Sequence, residues 1–303
     1  MPDLLVTGGS GQVGRELARY AWPEGVRAHF PGRDELDLAD AQSIARCVAS
    51  RRWAAVINAA AYTAVDKAES EVAAAWTINA LAPAVLAAET AKAGIPMLHV
   101  STDYVFSGHK AAPYVEDDAV GPLSVYGASK EGGEQAVRSA NARHAIIRTA
   151  WVVSEHRANF LKTMLRLCRE RPRLRVVADQ RGSPTSARDL ASALAEVALR
   201  QLGDASAPTG TFHATNAGET SWHGFACEIV RLAFAGRDGA PAIEPIATGD
   251  YPTPARRPAN SVLASHKLAA AFGIRLRPWQ EAVAEIVTAL EGSPARHGMG
   301  SAR

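Results

Sequence analysis

Cysteine is scarce in this sequence: Cys47, Cys168 and Cys227 are far apart and odd in number. That excludes a disulfide framework, and without CxxC or Cys/His ligand spacing a zinc site has no support either. An excess of charge is also missing. The 33 basic residues face 31 acidic ones, a net charge of +2, so global charge points to neither nucleic acid nor a membrane surface. The opening "MPDLLVTGG" has no basic n-region and no long apolar h-region, and no apolar stretch reads as long enough to cross a bilayer. A cytoplasmic location, with no nucleic acid and no membrane as partners, is the expectation. Internal repeats are absent. The one local basic cluster, "RLCRERPRLR" (Arg166 to Arg175), reads first as a solvated helix end and loop. One of its arginines remains available to a sugar-nucleotide diphosphate.

What is present is an ordinary globular mix, 47% hydrophobic and 21% charged over 303 residues, large enough for two lobes. Short apolar runs alternate with alanine-rich helical stretches in the first half. "LLVTGG", "RAHFPG", "AAVINAAA", "IPMLHVSTD" and "HAIIRTAWV" read as strands, with "GTFHATN" as a last one. Continuous apolar strands separated by helices predict an α/β fold with a doubly wound, Rossmann-like parallel sheet covered on both faces. After Val153 the rhythm changes, and a smaller C-terminal lobe closing over the carboxyl edge of the sheet is expected. The tail 293–303 lacks apolar anchors and reads as flexible.

"VTGGSGQVG" carries Gly9-x-Gly11-x-x-Gly14 and Gly8-x-x-Gly11-x-x-Gly14 between a strand and a helix. Glycines there let the backbone turn tightly against a pyrophosphate, and the helix N-terminus offers free N–H groups. Residues 1–150, with segments near 186–216, thus read as a dinucleotide-binding domain. Residues 151–292 then make up most of a substrate-binding lobe. The second strand ends in Pro31, Gly32 and Arg33. An arginine there meets a 2′-phosphate where a carboxylate would repel it, which favours NADPH, with NADH left open. Asp37 can accept from the adenine amino group or cap the next helix, and Asp40 fits that cap well.

"HVSTDYVFSG" ends a strand at the carboxyl edge of the sheet, and "YGASK" places Tyr126 and Lys130 one helical turn apart on one face. When hydride reaches a carbonyl carbon, the oxygen acquires negative charge. Thr102 can hydrogen-bond that oxygen and Tyr126 can donate a proton to it. Lys130 is expected to lower the Tyr126 pKa and to bond the nicotinamide ribose.

The glycine loop, the strand-end threonine and Tyr-x-x-x-Lys resemble the extended short-chain dehydrogenase/reductase superfamily. The match narrows with "NAAAYTAVDKAESE" (Asn58 to Glu71), "STDYVF" (Ser101 to Phe106), "PLSVYGASKEGGE" (Pro122 to Glu134), "DQRGSPT" (Asp179 to Thr185) and "RRPANSVL" (Arg256 to Leu263). These resemble the dTDP-4-dehydrorhamnose reductase family over nearly the whole chain. The resemblance implies reduction of the C4 ketone of a dTDP-4-keto-6-deoxy sugar, dTDP-4-dehydro-β-L-rhamnose, in the last step of dTDP-rhamnose biosynthesis. It implies catalytic roles for Thr102, Tyr126 and Lys130. Cofactor contacts are implied at Gly8, Ser10, Gly11, Gln12 and Val13, at Asp37 and Leu38, and at Ala60, Ala61 and Thr63. Substrate contacts are implied at Thr102, Asp103, Tyr126 and Trp151, with Arg257 and Asn260 as weaker candidates. Some members bind Mg²⁺ between subunits, but candidates such as Glu16 and Asp250 lack ligand spacing, so no metal is expected. A homodimer is left open.

Two alternatives share the fold. A sugar-nucleotide epimerase also uses a Tyr/Lys pair, and a dinucleotide-binding regulatory subunit needs no catalysis. A dehydratase is disfavoured because "TDY" lacks the glutamate that would expel water.

Overall fold

The computed structural model describes residues 1–292; the tail read as flexible lies outside the described residues. The first half contains β1 (Asp3–Thr7), α1 (Gln12–Arg19), β2 (Arg27–His29), α2 (Ala41–Ala49), β3 (Trp53–Asn58) and α3 (Val65–Ala68). A continuous helical run follows: α4 (Val72–Trp76), a π-helical turn (Thr77–Leu81) and α5 (Ala82–Lys92). Then come β4 (Met97–Thr102), α6 (Val125–Ala140) and β5 (His144–Thr149).

The second half carries β6 (Val152–Val153), α7 (Phe160–Glu170), β7 (Arg173–Val177), β8 (Arg181–Gly182), β9 (Thr185–Ser186), α8 (Ala187–Gly203) and β10 (Gly210–His213). β11 (Thr220–Ser221), α9 (Trp222–Ala233), β12 (Ala242–Ile246), α10 (His266–Phe272) and α11 (Trp279–Gly292) complete it.

Six parallel strands form the main sheet in the order β10-β5-β4-β3-β1-β2. Successive residues on its strands bury opposite faces, as a period of two demands. Val6, Ile57, Leu98 and Ile147 join Leu17 of α1 and Leu190 and Leu194 of α8 in one core. Leu5, Val56, Met97 and Ile146 join Ile44 of α2 and Leu86 of α5 in the other. Strand order reverses direction beside β1, between β1 and β3, and such a switch point opens a crevice at the carboxyl edge.

The lobe has its own core, in which Leu161, Met164 and Leu165 of α7 meet Phe225 and Ile229 of α9 and Trp279 and Val283 of α11. Three two-stranded pairings, β12-β7, β11-β8 and β6-β9, frame it. β12 was not legible as a strand because Pro245 interrupts "AIEPI".

The run Val72–Lys92 corrects one reading of the sequence. It spans 21 residues with a mean hydropathy of 1.4, long and apolar enough by composition to cross a membrane. Alanine supplies much of that apolarity, which hid it from inspection. The run packs against α2 and α6. Its π-turn has a local cause: Pro83 has no N–H to donate, so the ladder widens just before it.

Candidate active site

The glycine loop forms the floor of a cleft of about 1640 Å³ between sheet and lobe. Gly8 has φ +76°, and a Cβ there would stand 2.7 Å from Ala60 N. A Cβ on Gly14 would stand 2.2 Å from Gly8 O, so Gly14 packs loop on helix rather than facing the cleft. The N-cap of α1 is Gly11, which offers no side chain to the first-turn amides. They are left for an external anion. Ser10, Gly11, Gln12, Val13, Ala60, Ala61 and Thr63 all line the cleft with Gly8. These features are the cradle a dinucleotide requires.

Gln12 does more than the sequence indicated. Its Nε2 donates to Val152 O at 3.2 Å, while its Oε1 accepts from Ser154 Oγ at 2.8 Å and Asn159 Nδ2 at 2.9 Å. The start of α1 is thereby tied to the lobe.

The structure does not bring Arg33, Asp37 or Leu38 to the cleft walls. Arg33 is 83% exposed and its nearest carboxylate, Asp37, is 3.8 Å away. Asp37 Oδ1 is taken up by Ala39 N, and Leu38 packs against the core. The end of β2 nevertheless abuts the glycine loop, because Phe30 packs against Gly9.

Thr102, Tyr126 and Lys130 do converge on one wall. Ser124 caps α6 by accepting from Gly127 N. A Cβ at Gly127 would lie 2.2 Å from Tyr104 O, so only glycine lets α6 start so close to the turn after β4. That approach brings Tyr126 beside Thr102, whose hydroxyl eases the phenol's pKa downward. Thr102 Oγ1 also donates to Asp103 Oδ1 at 2.9 Å.

Burial pushes the Tyr126 phenol up to about 12; Thr102 offsets part of this and Asp103 adds to it. The expectation that Lys130 would depress the phenol is not met, because the Lys130 ammonium is engaged elsewhere. It donates to Val100 O at 2.7 Å and lies 3.3 Å from His99 Nε2. Burial pulls Lys130 down to about 8, against the pull of Glu134, and raises Asp103 to about 6.

Trp151 lines the cleft with a left-handed backbone, φ 48°. Its ring stacks on Trp222 at 3.5 Å and 8°. Arg257 also lines the cleft, but its guanidinium is bidentate to Asp66, at 2.8 and 3.1 Å. Asn260 does not reach the cleft. Its amide holds Lys110 O at 2.7 Å and Ala112 O at 3.1 Å, a loop-closing role.

Sequence reading passed over Trp222 and His99, which no spacing rule marks. It also underrated Arg171 and Arg175, which with Arg157 line the cleft. Their side chains have no carboxylate partner among the described residues, whereas Arg173 pairs with Glu244 at 2.9 Å.

Of the two carboxylates weighed for a metal, Asp250 lines the cleft. Glu16 lies within 4.8 Å of Glu155 and His156. Arg19 donates to Glu155 and lies 3.0 Å from His156, so an arginine already supplies positive charge to that group. Sequence spacing could not show a cluster whose members are so far apart along the chain.

The RmlD substrate binding domain model matches residues 2–291. A dTDP-4-dehydrorhamnose reductase of Burkholderia thailandensis is 47% identical over 287 residues, covering 92% of this chain and 96% of the relative. Among solved structures, a dTDP-4-dehydrorhamnose reductase of Clostridium acetobutylicum is 37% identical with a TM-score of 0.88, covering 95% of this chain and 99% of that one. One from Bacillus anthracis, in complex with NADP, is 32% identical with a TM-score of 0.86, covering 94% and 99%.

Proposed function

The chain belongs to the dTDP-4-dehydrorhamnose reductase family, and on that premise we propose that its cleft reduces the C4 ketone of dTDP-4-dehydro-β-L-rhamnose to dTDP-L-rhamnose. The observation that carries this reading is the convergence of Thr102, Tyr126 and Lys130 on the wall opposite the glycine cradle. A reduced nicotinamide dinucleotide, NADPH by preference, supplies hydride when bound. Gly8, Gly11 and the first amides of α1 hold its pyrophosphate, as their geometry favours.

The chain's own residues manage the proton. Tyr126 keeps its proton across neutral pH because burial holds its pKa high. As C4 accepts hydride, the C=O electrons pass to oxygen and that oxygen takes the Tyr126 proton. Thr102 turns its single hydroxyl proton from Asp103 to the same oxygen. Lys130, held by Val100 O and His99, supplies the positive charge of that wall and bonds the nicotinamide ribose. Asp103 and Trp151 orient the sugar. Arg157, Arg171 and Arg175, free of carboxylates, meet the diphosphate of the nucleotide. Arg33 accounts for the preference for a 2′-phosphate.

The test is direct. Purified protein with NADPH and the 4-keto sugar nucleotide is expected to consume reduced nicotinamide and form dTDP-L-rhamnose. Tyr126→Phe is expected to bind NADPH normally and lose about 10²–10⁴ in turnover. A Tyr126→Phe variant with full turnover would remove the proposed proton donor.

A further inference from the structure

We propose that His99 is a positioning residue for Lys130, the last link of a buried hydrogen-bonded line that crosses the sheet beneath the catalytic wall. The inference rests on the reductase reading for its kinetic consequences, but not for its geometry.

Thr7 Oγ1 donates to Asn58 Oδ1 at 2.6 Å. Asn58 Nδ2 lies 3.0 Å from His99 Nδ1, and His99 Nε2 lies 3.3 Å from Lys130 Nζ. The four side chains come from β1, β3, β4 and α6 and are at most 1% exposed. Such polar groups are costly under a sheet unless each is paired. Here every member is paired, and the line ends at the one lysine of the cleft.

The packing around His99 leaves it no alternative partner. A Cβ at Gly133 would stand 3.4 Å from His99 Nε2 and 2.1 Å from Asn79 O, so α6 passes close over the ring. Burial, reinforced by Lys130, holds His99 well below its usual pKa, so the ring is neutral. A neutral imidazole has one N–H and one lone pair. Facing an ammonium, which only donates, Nε2 presents its lone pair and gives Lys130 a fixed polar neighbour, while Val100 O takes a second direction. The other ionisable groups on the surrounding elements are Tyr126, Glu131, Glu134 and Arg138 on α6, Asp103 after β4, and His144 and Arg148 on β5. Glu134 is already bound to Arg148, at 2.7 and 2.9 Å. The position of Lys130 is therefore set largely by His99 and the Val100 carbonyl, while burial and Glu134 set its proton affinity.

Two amide variants separate this role from packing. In His99→Gln the amide reaches the position of Nε2 and keeps a polar group beside Lys130. In His99→Asn it reaches only the position of Nδ1 and keeps Asn58 alone. His99→Gln is expected to stay within a few-fold of the parent in kcat, with the same alkaline limb. His99→Asn is expected to lose about tenfold in kcat and to raise the KM for NADPH, with a displaced limb.

A second measurement needs no turnover. The ¹⁵N resonances of the His99 ring, identified by their loss in His99→Gln, are expected to move in Lys130→Met while those of the other histidines stay put. Equal kinetics for the two amide variants, or His99 ring resonances indifferent to Lys130→Met, would overturn the proposal. Failure of the parent protein to reduce the keto sugar would instead sink the reading of the cleft and leave the resonance experiment to decide His99.

Discussion

At the scale of single residues, the sequence brought Tyr126 and Lys130 to one cleft but misjudged the electrostatics around them. Tyr126 and Lys130 are four apart on a helix, and that spacing alone puts them on one wall. The sign of the Tyr126 shift was not legible, because burial is a property of the packed molecule and outweighs any nearby cation. The consequence is a pH dependence carried by Lys130. Its pKa in the fold is lowered to about 8, so its ammonium is fully present well below that pH and is lost as pH rises through it. Turnover is expected to fall on the alkaline side near pH 8 in a kcat profile, and a profile flat to pH 10 would contradict the role of the ammonium. Arg33 is proposed as a cofactor discriminator only from its position after β2. In Arg33→Ala the ratio of kcat/KM for NADPH over NADH is expected to drop by about tenfold, the worth of one charge-assisted hydrogen bond. Asn260 shows the opposite limit, since a motif match suggested a ligand contact and the amide is consumed by two loop carbonyls.

At the scale of elements, most strands of the main sheet were legible because buried parallel strands read as continuous apolar runs. The π-turn between α4 and α5 was not, although Pro83 marks it in hindsight. The glycines explain how elements approach one another. Gly127 allows the start of α6 to touch the turn at Tyr104, and this contact brings Tyr126 to Thr102. Gly127→Ala therefore displaces α6 or the turn. The expected result is a loss of about 1–3 kcal/mol in a denaturant titration. A larger proportional loss in kcat than in NADPH affinity should accompany it, because the cradle lies elsewhere. Unchanged stability and rate would show that the contact is slack.

At the scale of the whole molecule, two lobes enclose one cleft, and its residues come from nearly every part of the chain. No local pattern reveals this, which is why Arg171 and Arg175 read first as solvated charges, with one arginine of their cluster left to a diphosphate, and why Arg157 was not singled out. In Arg171→Ala and Arg175→Ala the KM for the dTDP-sugar is expected to rise several-fold, more at low than at high salt, with kcat nearly constant. Equal salt dependence in parent and variants would return these arginines to the solvated surface.

The Gln12 side chain grips Val152, Ser154 and Asn159 from the very loop that cradles the pyrophosphate. A dinucleotide seated on that loop would therefore be joined by one side chain to the β6–α7 segment of the same cleft. The two reactants should then not bind independently: saturating NADPH is expected to change the affinity for the dTDP-sugar, and to do so less in Gln12→Ala.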